Sequence, residues 1–332
     1  LLVYKKPSYA SLKDGVSDPI FLMRKYLLAV SLITCISGVT LTSRVFAVDQ
    51  TQSEPPKVTL YGAGSLRGSL SEVADAFTQE YGITVNREFG PSGSLRERLE
   101  NGEKTDVFAS ADIGNPLKLY QQGLSGSVVN FTSNRMTAIV RPGLSVTSDN
   151  LLDVLLDPQI KLGTSTPISD PSGDYAQEIF RKANELRPGS FQTLDAKALR
   201  LVGGPSSPPV PGGKNSLVYF LKETQQADIF LAYYTSGQSA LQESPDLQLI
   251  ELPQNLAVKA DYGLTVLKDA SSNGTKLAEY ILSPSGQKVL AKYGFSAPSA
   301  TPSTSVPESQ NLGGMVLAGA IRCLETRRRK RF

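Results

Sequence analysis

Three clusters of glycine and serine sit where a predicted strand gives way to a predicted helix: Gly62-Ala-Gly-Ser65, Gly90-Pro-Ser92-Gly-Ser94 and Asp170-Pro-Ser172-Gly173. Asn215-Ser216 opens a further helix. A helix start presents unpaired backbone N–H groups and the positive end of the helix dipole, and small residues let an anion approach both. Serine hydroxyls add donors. Each serine taken singly also suits an ordinary N-cap, and Ser69-x-x-Glu72 has the spacing of a capping box that could start the first helix without Ser65. Tyr233-Tyr234 ends a predicted strand reading Ile229-Phe-Leu-Ala. Alternation turns one phenol to the core and the other to the open side, where it can donate to an oxyanion or, as phenolate, ligate ferric iron.

Other chemistries are excluded by what is missing. The chain has no histidine, so a Ser-His-Asp triad, a histidine-ligated zinc and an imidazole base are out. Its cysteines, Cys35 and Cys323, both lie outside residues 48–298, which removes thiolate metal sites and internal disulfides there. A serine hydrolase would need a Gly-x-Ser-x-Gly elbow, or a Ser-x-x-Lys spacing at Ser92, and neither is present. Neither Gly62-x-Gly64 nor Gly90-x-x-Gly93 completes a dinucleotide fingerprint. Asp106 and Asp112 flank a strand and read as a cap and a surface group rather than an acid/base pair.

Charge narrows the ligand further. Each end of the 332-residue chain, 1–47 and 299–332, carries six Lys/Arg and two Asp/Glu, leaving 22 basic and 27 acidic residues in 48–298. The middle is net −5, which argues against a nucleic-acid surface and requires any anion site to be made locally from neutral donors. Arg67, Arg96, Arg98, Arg135 and Arg141 are then surface charges, the last two near a boundary between lobes.

The elements that must position these groups alternate. Val58-Thr-Leu-Tyr-Gly, Ile83–Phe89 and Asp106–Ala111 read as strands separated by helices carrying Leu66, Leu70, Val73 and Phe77, then Leu95 and Leu99. Met136–Val140, Asp228–Tyr234 and Tyr262–Leu267 are further strands; Leu151–Leu156, Ser172–Leu186, Asn215–Gln225 and Thr275–Lys292 are helical. Strands alternating with helices predict an α/β fold with a mostly parallel sheet and helices on both faces. Val202–Gly213, rich in Gly and Pro, is expected to be a surface excursion or a flap at the mouth of a site.

At the ends, Met23-Arg-Lys, an apolar run from Leu27 to Leu41 and Val45-Phe-Ala47 read as a secretory signal peptide over 23–47, cleaved after Ala47, with a retained membrane anchor as the alternative. Residues 1–22 then read as spurious upstream sequence. Residues 299–332 read as a Ser/Thr/Pro linker followed by a basic tail.

Val58-Thr-Leu-Tyr-Gly-Ala-Gly-Ser-Leu, Phe89-Gly-Pro-Ser-Gly-Ser-Leu-Arg, Thr105-Asp-Val-Phe-Ala-Ser-Ala-Asp, Asp170-Pro-Ser-Gly-Asp-Tyr-Ala and the ending Ile281-Leu-Ser-Pro-Ser-Gly-Gln-Lys-Val-Leu-Ala-Lys-Tyr-Gly-Phe together resemble the molybdate-binding proteins of ABC transporters, over about residues 57–298. The resemblance implies a two-lobed periplasmic receptor, with lobe 1 formed by 57–135 and 256–298 and lobe 2 by 136–255. It implies a monomer without enzymatic activity or cofactor that delivers its ligand to a membrane permease. The ligand it implies is molybdate or tungstate, with sulfate as a related anion. Ser65, Ser92 and Tyr234 would meet the metal only through the anion's oxygens, while Ser172 and Ser216 would offer backbone N–H groups. Pro91 beside Ser92, Ser216 itself and the long 202–213 loop depart from the family pattern. Tyr233/Tyr234 also resemble the paired tyrosines of iron-binding relatives.

Overall fold

The computed structural model describes residues 56–298, so the expected leader 23–47, the segment 1–22 and the tail 299–332 lie outside the described residues. In chain order the first elements are β1 (Lys57–Ala63), a 3-10 turn (Gly64–Leu66), α1 (Arg67–Tyr81), β2 (Thr84–Gly90), α2 (Ser92–Glu100), β3 (Val107–Ser110), α3 (Gly114–Gln121) and β4 (Val129–Val140). Then come α4 (Leu151–Leu156), β5 (Leu162–Ser165), α5 (Pro171–Leu186), α6 (Ser190–Lys197), β6 (Leu199–Val202) and α7 (Ser216–Val218), which runs into a π turn (Tyr219–Glu223). The chain closes with β7 (Ile229–Tyr233), α8 (Tyr234–Glu243), β8 (Gln248–Glu251), β9 (Lys259–Val266), α9 (Ser272–Leu282) and α10 (Pro284–Lys292).

The fold is α/β, and its strands follow the order β2-β1-β3-β9-β4-β7-β5-β6, with β8 also paired to β4. The expected parallel arrangement holds on the outer strands, where β1 pairs with β2 and β3, and β5 with β6 and β7. In the middle, β4 and β9 are antiparallel to their neighbours. The reason is that these two strands carry the chain out and back, and a strand that returns beside its partner must run opposed to it. β4 changes partners along its length, pairing with β9 as far as Arg135↔Lys259 and with β7 from Met136↔Tyr233.

Period-two side chains fill the layers on both faces. Ile229, Leu231 and Tyr233 of β7 join the core built on Ile179, Phe180 and Ala183 of α5, while Phe230 and Ala232 join Leu217, Phe220 and Ala240 on the other face. β1 does the same, with Val58 and Leu60 sharing a core with Phe77 and Leu70, and Tyr61 with Leu95 and Leu99. Among the described residues no helix is long and apolar enough to cross a membrane.

Several elements escaped the periodicity argument. β5, β6 and β8 have four residues each, too few to display a repeat. The strand expected to reach Tyr234 stops at Tyr233, and Tyr234 opens α8. The capping box expected at Ser69 and Glu72 is not made: the Ser69 hydroxyl donates to the Leu66 carbonyl, and Glu72 accepts from Lys292 and Tyr293.

Of the two aspartates it is Asp112 that accepts at a helix start, from the Asn115 N–H at 3.0 Å, whereas Asp106 ties three segments. Its carboxylate accepts from Thr59 N and Oγ1 at 2.7 Å each and from Ser271 N and Oγ at 2.8 and 2.9 Å, joining β1 to the start of α9. Burial alone would raise its pKa, but these donors outweigh burial and hold it below the ordinary aspartate value. A depressed folded pKa contributes stability that is complete above the unfolded value and lost as pH falls through the folded one. Asp106→Asn is therefore expected to lower unfolding free energy by about 1–3 kcal/mol at neutral pH, and urea denaturation of the two proteins should converge in acid.

Candidate functional site

A cavity of about 1250 Å³ is lined by residues from both halves of the sheet, and Ser65, Ser92, Ser172, Ser216 and Tyr234 all line it. Val210, Pro211, Gly212 and Gly213 of the long loop border it too, which makes that loop a flap at the mouth.

Ser65 stands in the 3-10 turn after β1, with its Oγ 2.8 Å from Tyr262 Oη on β9. Either hydroxyl can be the donor in that bond. Arg135 N donates to Asn134 Oδ1, which fixes the amide so that Asn134 Nδ2 donates to Thr235 Oγ1 at 2.8 Å and Tyr262 Oη at 3.3 Å. With Asn134 on one lone pair, Tyr262 can give its proton to Ser65, in which arrangement the serine proton is free for a ligand. Ser92, buried at the start of α2, accepts the Ala111 N–H at 3.1 Å and likewise keeps its proton.

The backbone donors fare differently. The Ser172 N–H is given to Asp170 Oδ1 at 3.0 Å, so the amide expected to meet an anion is capped from within its own helix. At α2, Gly93 and Ser94 N–H groups both donate to the Ser169 carbonyl, at 2.9 and 3.3 Å. Two expected anion-binding helix starts therefore already have protein acceptors. At α7 the Asn215 side chain accepts from Leu217 and Val218 N–H.

The paired tyrosines part company because the strand ends between them. The Tyr234 hydroxyl accepts from Gln238 Nε2 at 2.8 Å, and its ring lies under Arg135 with the guanidinium carbon 3.5 Å from the centroid. Tyr233 is 4% exposed, wedged edge-on against Tyr175 and Tyr262 at 6.2 and 5.7 Å, and lines the same cavity. Among the described residues its hydroxyl has no partner at hydrogen-bond distance, although it lies near the Tyr262 phenol. Burial first, then the nearby phenols and carboxylates, raises the Tyr233 pKa well above the ordinary tyrosine value, so the group stays a protonated donor.

Of the cavity's cations, Lys214 pairs with Glu223 and Lys292 holds Glu72 at 2.7 Å. Arg67 donates to the Phe89 carbonyl and forms no salt bridge among the described residues. Of the other arginines read as surface charges, Arg96, Arg98, Arg135 and Arg141 pair with Glu100, Glu103, Glu251 and Asp228. The site is therefore built from hydroxyls. Sequence reasoning did not single out Tyr262, Asn134 or Thr235, which are scattered along the chain and meet only where β4 crosses; Asp170 was visible as part of its Asp-Pro-Ser cluster.

A family model described as bacterial extracellular solute-binding protein matches residues 58–296. The chain belongs to that family. It is 35% identical over 238 residues to an uncharacterised protein of Pasteurella multocida, covering 71% of this chain and 97% of that one. It is 25% identical over 253 residues to the molybdate-binding protein ModA of Escherichia coli, covering 72% and 88%. Among solved structures, the sulfate-binding protein SubI of Mycobacterium tuberculosis matches with a TM-score of 0.59 at 19% identity, covering 72% and 86%, a likeness of fold alone. In a solute-binding protein of this two-lobed fold, a cavity lined from both halves of the sheet is the natural place for the solute.

The two halves touch beside that cavity. Gly93 packs so closely on the 166–170 loop that a Cβ there would lie 2.0 Å from the Ile168 carbonyl oxygen, and Ile168 itself has a left-handed φ of 71°. Gly93→Ala is expected to break the Gly93–Ser169 clasp, raise the radius of gyration seen by small-angle scattering and cost about 1–3 kcal/mol of stability. An unchanged scattering profile would show that the clasp does not hold the halves together.

Proposed function

We propose that this solute-binding protein is a periplasmic receptor that captures a tetrahedral oxyanion, molybdate or tungstate, and delivers it to an ABC transporter permease. The observation that carries the reading is the buried Tyr233 hydroxyl, without a hydrogen-bond partner among the described residues, on the wall of a cavity that the hydroxyls of Ser65 and Ser92 also line. A buried donor without a partner is costly, and an acceptor arriving in the cavity removes that cost. Neutral donors suit a dianion that must be released again, because charge-assisted hydrogen bonds hold it without a permanent ion pair. The lobes 57–135 with 256–298 and 136–255 would then move about β4 and β9 as the ligand enters. The likeness to molybdate-binding relatives supports molybdate or tungstate over sulfate, since donor count cannot separate anions of equal charge and shape.

The ferric-iron alternative asks for phenolates, and the environment of Tyr233 opposes ionisation. No three of His, Cys, Asp and Glu gather into a metal site among the described residues. For the hydrolase alternative, the partners of Ser65 and Ser92 are a phenol and a backbone N–H, and neither can act as a base.

Calorimetry with molybdate, tungstate, sulfate and inorganic phosphate tests the reading, and failure of every anion to bind would end it. Ser65→Ala, Ser92→Ala and Tyr233→Phe are each expected to weaken molybdate by about 1.5–3 kcal/mol. Ser172→Ala keeps its N–H and should bind normally. Tyr234→Phe should cost less than Tyr233→Phe; the reverse order would move the phenol donor to Tyr234.

A further inference from the structure

The cavity assigned to a dianion has a carboxylate in its wall. Asp170 lines it and caps the 16-residue α5, giving Oδ1 to the Ser172 N–H at 3.0 Å. It forms no salt bridge among the described residues, and the lysines and arginine that line the cavity are held elsewhere, by Glu223, Glu72 and the Phe89 carbonyl. The backbone at Gly203, with φ 79°, passes so close that a Cβ there would lie 2.6 Å from Asp170 Oδ2. The charged and titratable groups facing the carboxylate are Asp174 on the same helix, Asp112 before α3, and the phenols Tyr233 on β7 and Tyr262 on β9. No positive group is among them. Burial raises the Asp170 carboxyl to about 6; the Ser172 N–H and the Ser165 hydroxyl pull it down, and Asp174 and Asp112 push it up.

An unneutralised carboxylate and a dianion in one cavity repel each other strongly when water is excluded. A single proton between them turns that repulsion into a charge-assisted hydrogen bond. The unpartnered Tyr233 hydroxyl on the same wall marks independently where an acceptor belongs.

We propose that the site binds its oxyanion together with one proton shared between Asp170 and a ligand oxygen, so that Asp170 selects the protonation form the receptor accepts. This rests on the oxyanion reading above and deepens it. With molybdate the proton comes from solvent, resides on Asp170 and is donated to an anion oxygen; with hydrogen phosphate the ligand's own O–H donates to the carboxylate. No covalent bond other than the O–H is made or broken. A substrate class follows: oxyanions able to bring or recruit one proton, hydrogen phosphate and its monoesters included.

The test is calorimetry of the whole protein with molybdate, and separately with inorganic phosphate, in buffers of different ionisation enthalpy. At about pH 8, above the carboxyl's own value of about 6, molybdate should take up about one proton per anion. Its affinity should weaken about tenfold per pH unit above that value and level off below it. Phosphate should take up fewer protons near neutral pH, because it carries its own. Asp170→Asn keeps an acceptor for the Ser172 N–H and removes the titrating carboxyl, so its molybdate affinity should be independent of pH, with no proton uptake. Molybdate binding to the unaltered protein without proton uptake, or an unchanged pH slope in Asp170→Asn, would overturn the proposal and leave the receptor reading standing. No binding of either anion at any pH would overturn both. The proton count on the unaltered protein does not depend on the variant folding.

Discussion

β4 is hydrogen-bonded to β9 as far as Arg135 and to β7 from Met136 onward, so one continuous strand belongs to both halves of the sheet. The site depends on that change of partner. Asn134, one residue before it, reaches Tyr262 on β9 and Thr235 at the start of α8. Tyr262 in turn meets Ser65. The serine therefore stands at the end of a chain of hydrogen bonds that begins at a backbone N–H, that of Arg135. A bulge or slip in β4 here would move donors on both sides of the cavity at once.

The electrostatics of the cavity are those of a place that must hold negative charge without an ion pair of its own. Its lysines are held by glutamates, the Tyr233 phenol stays protonated because it is buried, and the amides at the starts of α2 and α5 already have acceptors. What remains is a set of hydroxyl protons, the unpaired charge of Arg67 and the carboxylates of Asp170 and Glu243. Hydroxyls rotate, so they fit an acceptor wherever packing puts it, and they carry no net charge that would hold the ligand when the lobes part. The Asp170 carboxylate gives the cavity a dependence on protons that the hydroxyls lack.

The clasp between α2 and the 166–170 loop follows the same economy of donors. Gly93 and Ser94 face the Ser169 carbonyl instead of solvent, and the absence of a side chain at Gly93 permits the approach. The loop is shaped from its own side, because Asp174 accepts the Ile168 N–H at 2.9 Å and steadies a backbone turn that a residue other than glycine rarely adopts.

The α/β class, the order of the longer elements and the gathering of Ser65, Ser92, Ser172, Ser216 and Tyr234 around one space were legible in the sequence. Hydrophobic period and helix-start chemistry are local, and strand ends in such sheets lie on one side. The four-residue strands β5, β6 and β8 were not legible, nor was the antiparallel course of β4 and β9, which depends on where the chain returns; β3, equally short, was betrayed by its apolar run. The composition already decided that no imidazole could act here, since a residue type absent from the chain cannot be supplied by folding, and both cysteines lie outside residues 48–298. Which of the expected donors remains free was decided only by tertiary structure. Ser172 N–H is lost to Asp170, Gly93 N–H to Ser169, and Tyr233 is left without a partner. A donor's availability depends on every acceptor within about 3 Å, and apart from the local Asp170 cap those acceptors come from segments that only folding brings together.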